Sequence, residues 1–194
     1  MLTIAAVALA LGGCAAGIKA VKVGPGETLV AGRLMVNIDE AWNQISFPHP
    51  AAPTTLWTVE GITIDNLEFY PGLKDGDLLA QNTPGAKTAR PLTFKASMRP
   101  DEIVALYEGL YSRDGSVFTL DKLEPVEFAD GKGFRFQFTV VRKSDDVKLS
   151  GMAWAAVRDN QLFAMTYTAP RLGFFPRYAA RVEQIAKSVR IKKV

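Results

Sequence analysis

The 194-residue sequence predicts one α+β domain, an α/β/α sandwich built around a mainly antiparallel sheet. Three observations lead there. Strand-length runs at 117–128, 133–142, 147–158 and 161–169 follow one another, broken by turn residues Asp130-Gly131, Ser144-Asp145-Asp146 and Asp159-Asn160, which is the pattern of a meander. Apolar residues occupy both alternations of these runs, so both sheet faces must be covered. Amphipathic segments of helical period stand before and after the meander, ready to cover them. The composition agrees: 48% apolar and 22% charged residues suit a folded domain of ordinary size. A lone cysteine makes no internal disulfide, and a net charge of +3 from 23 basic and 20 acidic residues is too small and scattered to mark a nucleic-acid footprint.

In chain order, residues 2–11 form an uncharged apolar run well short of the roughly 20 residues that span a bilayer, which reads as an export signal and not a spanning anchor. The run ends in Leu11-Gly12-Gly13-Cys14 followed by Ala15-Ala16-Gly17, and this resembles the lipobox of bacterial lipoproteins. The resemblance implies that residues 1–13 are a signal peptide removed at Cys14, and that the Cys14 thiol carries a diacylglycerol. Because Ala15 and not Asp follows the cysteine, it also implies sorting to the periplasmic face of the outer membrane. The alternative is an apolar segment buried in the domain, with Cys14 an inert core thiol. Acyl chains contribute roughly 0.8 kcal/mol per buried CH₂, enough for two or three of them to hold a protein on a bilayer. Residues 14–31, with Lys19, Lys22, Gly24, Pro25 and Gly26 and no sustained period, read as a flexible tether, leaving 32–194 as the domain.

Within it, 33–38 reads as a short strand, 39–45 as a helical turn, and 47–53 as a loop, since Pro48, Pro50 and Pro53 remove backbone donors. Residues 55–59 and 61–70 read as strands, the turn-rich stretch from Pro71-Gly72 to Arg90 as connection, and 92–95 as a further strand. Arg99-Pro100-Asp101-Glu102 opens a helix, with proline in its first turn and two acids at the positive end of the dipole. Ile103, Leu106, Tyr107, Leu110 and Tyr111 give it one apolar face. A second helix over 174–189 aligns Phe175, Tyr178, Val182, Ile185 and Val189. If Asp159-Asn160 is a two-residue hairpin loop, Ala156 faces Phe163, Trp154 faces Met165 and Met152 faces Tyr167.

The ending from Asp159 to Pro170, followed by an aromatic helix closing at Lys187-Ser188-Val189-Arg190-Ile191, is similar to the C-terminal pattern of the Mog1/PsbP-like superfamily over roughly residues 92–191. The resemblance implies the same α/β/α sandwich. Members of that superfamily include photosystem II extrinsic subunits, a nuclear transport factor and bacterial lipoproteins, and none lends a catalytic motif to this chain.

No catalytic constellation is expected. His49 is the sole histidine, so a Ser-His-Asp or Cys-His relay would have to pass through it, and it sits in the proline-rich loop with Cys14 committed to lipid. No Cys/His metal spacing, phosphate loop or dinucleotide fingerprint is present, and Asp145-Asp146 and Asp75-Gly76-Asp77 read as turns lacking a calcium-loop ligand set. No cofactor is expected. The residues singled out for binding are aromatic. Trp154, Phe163, Met165 and Tyr167 share a sheet face that either lines a pocket for a small apolar ligand or is core beneath a helix, with Arg135 beside Trp154 as a polar handle. Trp42 and Trp57, flanking the proline loop, are expected as an exposed surface for an envelope protein partner. The expected function is a non-enzymatic protein-binding or assembly module, tethered to the membrane through lipid; the alternative is a carrier or sensor of a small apolar ligand.

Overall fold

A computed structural model describes residues 17–81 and 91–192 of the chain; Cys14, the apolar run before it and the turn at Thr83-Pro84-Gly85 lie outside the described residues. The strands and helices in order are β1 (Lys19–Val23), β2 (Gly26–Val30), β3 (Leu34–Ile38), β4 (Trp42–Ser46), β5 (Thr55–Thr58), β6 (Asn66–Lys74), α1 (Pro100–Tyr111), β7 (Val117–Glu127), β8 (Lys132–Val141), β9 (Lys148–Arg158), β10 (Gln161–Pro170), α2 (Phe174–Ser188) and β11 (Arg190–Ile191). Eight strands form one antiparallel sheet in the order β1-β4-β5-β6-β10-β9-β8-β7, and β11-β3-β2 form a second, small one.

The large sheet is sandwiched as the α+β, Mog1/PsbP-like expectation has it. On one face α1 sets Ile103, Val104 and Tyr107 over Phe136, Phe138, Ala153, Ala155 and Ala164. On the other, α2 sets Tyr178, Val182 and Ile185 over Trp154, Phe163, Met165 and Tyr167, with β3 of the small sheet packed beside it. Each such buried side chain is worth about 1.5–3 kcal/mol. The faces alternate because the Asp159-Asn160 turn, both residues at positive φ (48° and 59°), joins β9 to β10 with no slack. It pairs Ala156 with Phe163, Trp154 with Met165 and Met152 with Tyr167. Small residues leave room where rings cross: Gly151 lies opposite Phe138, and a Cβ there would stand 2.2 Å from the Phe138 ring.

The amino-terminal half differs from its sequence reading. Residues 19–23 and 26–30, expected in the tether, are strands, because their backbone pairs with β4 and β3 over full register. Residues 39–45, expected as a helical turn, run instead into β4 (Trp42–Ser46), held between β1 and β5. The strand expected from residue 61 starts at Asn66, since 61–65 form a turn closed by the buried Asp65 carboxylate. That carboxylate accepts hydrogen bonds from Thr58 Oγ1 (2.7 Å) and the Glu60 (2.7 Å) and Val59 (3.0 Å) amides. Pro71-Gly72 ends no strand. It is a bulge within β6, where Phe163 pairs with Pro71 and Leu162 with Leu73, and Gly72 takes φ +114° against the Phe163 ring. The strand expected at 92–95 is reduced to a single bridge between Leu78 and Thr93.

Candidate functional site

The residues nominated from sequence come together, but as core. Trp42 and Trp57, expected at the surface, are both 0% exposed. Trp42 stands edge-on to Tyr167 at 6.4 Å, and Trp57 meets Phe69 at 4.8 Å while its indole N–H donates to Gln44 Oε1 at 3.3 Å. Their burial follows from tertiary contact with distant strands and with α2. Trp154, Phe163, Met165 and Tyr167 lie in the same buried cluster beneath α2, packed with the helix side chains Tyr178, Val182 and Ile185. Arg135 is beside Trp154, its guanidinium 5.3 Å from the ring centre. It is no free handle: Nη2 donates to Glu183 on α2 (2.5 Å) and Nη1 to Glu124 on β7 (3.3 Å), clamping helix to sheet.

Two features missed by the sequence reading lie elsewhere. The first is the β7 edge of the sheet. Its eleven residues are mostly exposed, including Val117 (59%), Leu120 (43%) and Leu123 (36%). A bulge makes Asp121 the extra residue, so that Leu120 lies opposite Phe138 and Leu123 opposite Phe136, both on the α1 side. Thr139 Oγ1 donates to Asp121 at 2.8 Å and fixes the bulge. Bulge, Lys122 and Pro125 together guard the edge against indiscriminate strand pairing, while leaving the two leucines as an apolar step at its rim.

The second feature is a cavity of about 310 Å³ on the α1 side of β4, β5 and β6, walled by the loop between β4 and β5. The loop is held in place because Ala51 accepts from the Gln81 amide (2.6 Å), whose carbonyl accepts from Arg113 Nη1 (2.7 Å). Ile45, Leu56 and Glu68 sit in one cross-strand row and line the cavity, with Thr55 and the ring of Phe47, itself 37% exposed. Burial pushes the Glu68 carboxyl from its ordinary 4.5 up to about 7. Among the described residues no hydrogen-bond donor or cation meets that carboxylate. Its titratable neighbours are Tyr70 on β6 and Tyr107 and Tyr111 on α1, whose phenols burial holds well above their ordinary range. The Tyr70 and Tyr107 hydroxyls are buried without a hydrogen-bond partner among the described residues. A sequence signal for Glu68 exists only in hindsight: a charged residue inside the otherwise apolar run Leu67-Glu68-Phe69-Tyr70. Among the described residues no group of three or more His, Cys, Asp and Glu side chains could hold a metal ion, and no helix is long and apolar enough to cross a membrane.

No protein-family model matches the chain, and no curated protein matches it in sequence. Among solved structures it is similar to the cyanobacterial PsbP (CyanoP) of Synechocystis sp. PCC 6803, with a TM-score of 0.50 and 11% identity over 88% of this chain and 99% of that one. A second similar structure is a Bacteroides thetaiotaomicron protein, with a TM-score of 0.48 and 12% identity over 88% of this chain and 50% of that one. The likeness to the cyanobacterial protein shows the PsbP-like fold.

Proposed function

We propose that this chain is a lipid-anchored, non-enzymatic binding module of the bacterial envelope, held on the periplasmic face of the outer membrane by Cys14 and engaging an envelope protein through the β7 edge. The exposed apolar step at Leu120 and Leu123 carries the reading, because partners anchor on such side chains where the rim around them is charged, here by Asp121, Lys122 and Glu124. The sheet order supports the geometry. Five chain steps separate Cys14 from Lys19, a reach of at most about 18 Å, so β1 stays near the bilayer that anchors Cys14. The β7 edge lies at the other end of the eight-stranded sheet, roughly 34 Å away at about 4.8 Å per strand. The anchored edge and the binding edge are therefore opposite each other. A photoreactive amino acid at Leu123 in the membrane-bound protein should crosslink to one discrete envelope protein. Adducts no different from those formed at the exposed Lys187 of α2 would remove the β7 edge from the reading.

A further inference from the structure

We propose that the cavity between the proline-rich loop and strands β4 to β6 is a binding site for small aliphatic ammonium ions, with Glu68 as the carboxylate that receives the cation. This inference is independent of the β7 reading. The chemistry of the lining selects the ligand class. Glu68 is the ionisable group among the residues lining the cavity, and none of those residues is basic, so an anionic ligand would meet an unopposed carboxylate. A cation instead supplies the counter-charge that the described residues do not give it. Ile45 and Leu56, in the same cross-strand row as Glu68, offer apolar surface to a short alkyl stem. The half-exposed Phe47 ring at the mouth presents a π-face to positive charge. A volume of about 310 Å³ is at the small end of ligand sites, which excludes large polyamines as fully enclosed occupants. A divalent metal fits less well, because a single carboxylate with hydroxyls falls short of the oxygen set such ions require.

The floor of the site is built into the sheet and not borrowed from a mobile side chain. Glu68 pairs with Leu56 on one side and Thr166 on the other, in the body of β6. The loop above it is tied down through Ala51, Gln81 and Arg113. Binding therefore needs little rearrangement of the protein, and selectivity follows from charge and stem length.

The test is titration of the isotopically labelled protein with n-butylammonium chloride at pH 8, followed by amide chemical shifts, with n-butyrate and n-butanol as matched anionic and neutral probes. Saturable shifts at millimolar n-butylammonium are expected at Phe47, Thr55 and Glu68, with neither control probe producing them. Glu68→Gln should weaken the binding by about tenfold or more. Ala52→Trp, which fills the cavity from the loop and leaves Glu68 intact, should abolish it, so the proposal does not depend on one variant folding. Absence of saturable shifts, equal response to n-butanol or n-butyrate, or unchanged binding in both variants would overturn the assignment.

Discussion

Replacing the cavity carboxylate should stabilise the domain, and only above mildly acidic pH. Burial raises the Glu68 carboxyl from 4.5 to about 7 in the folded chain, so the folded state holds its proton more tightly than the unfolded state does. Below 4.5 both states are protonated and Glu68 does not distinguish them. Between 4.5 and about 7 the unfolded chain releases the proton first, and stability falls as pH rises; above about 7 the full penalty is in place. At about 1.4 kcal/mol per pH unit, the interval sets a ceiling of about 3 kcal/mol, which the partial solvent access of the side chain lowers to about 2 kcal/mol. Glu68→Gln keeps the shape and removes the charge. Urea unfolding at pH 4.5 and pH 8 should therefore show equal stability of parent and variant at the acid end, and an advantage of about 2 kcal/mol for the variant at pH 8. The buried phenols of Tyr70, Tyr107 and Tyr111 stay neutral across that range and do not blur the comparison. A variant no more stable at pH 8 than the parent would mean that Glu68 is solvated or paired, and one equally stabilised at both pH values would mean that the gain does not come from its charge; either result would refute the reasoning.

Other outcomes follow from the packing. Trp154→Ala empties a buried ring position beneath α2 and should cost about 3–5 kcal/mol in urea unfolding; a loss below 1 kcal/mol would mean that Trp154 is not core. Gly151→Ala drives a methyl into the Phe138 ring and should cost about 1–3 kcal/mol, seen as a lowered Tm; an unchanged Tm would show that the ring moves freely aside. Leu120→Glu with Leu123→Glu, both at the exposed β7 edge, should leave Tm within a few degrees of the parent while abolishing the crosslink to an envelope protein. Metabolic labelling with a fatty acid should mark the parent and not Cys14→Ala, and equal labelling would place the lipid elsewhere.

The carboxy-terminal half was legible because its register is local. A two-residue Asp-Asn turn fixes β9 against β10, the alternation of the flanking residues then assigns both faces, and Arg135 falls beside Trp154 with no further information. The amino-terminal half was not. Lys19–Val23 is an exposed edge strand with no buried face to print an alternation, and Gly26 and Pro25 resemble linker chemistry. Asp39-Glu40 before Trp42 imitates a helix start, and Pro71-Gly72 imitates a turn where the chain makes a bulge. Trp42 and Trp57 were misplaced because their burial is decided by α2 and by strands far along the chain, a relation that no local pattern carries. The cavity at Glu68 depends on a loop pinned through Gln81 and Arg113, contacts equally invisible to periodicity.

The central claim, an acylated module that holds a protein partner at its far sheet edge, is tested most directly by native mass spectrometry of the protein extracted from its own membranes, beside the Leu120→Glu, Leu123→Glu variant. The expected spectrum shows a chain that begins at an acylated Cys14 and carries one discrete protein subunit, with the subunit missing from the variant. A chain without acyl mass, or a subunit retained by the variant, would contradict the account.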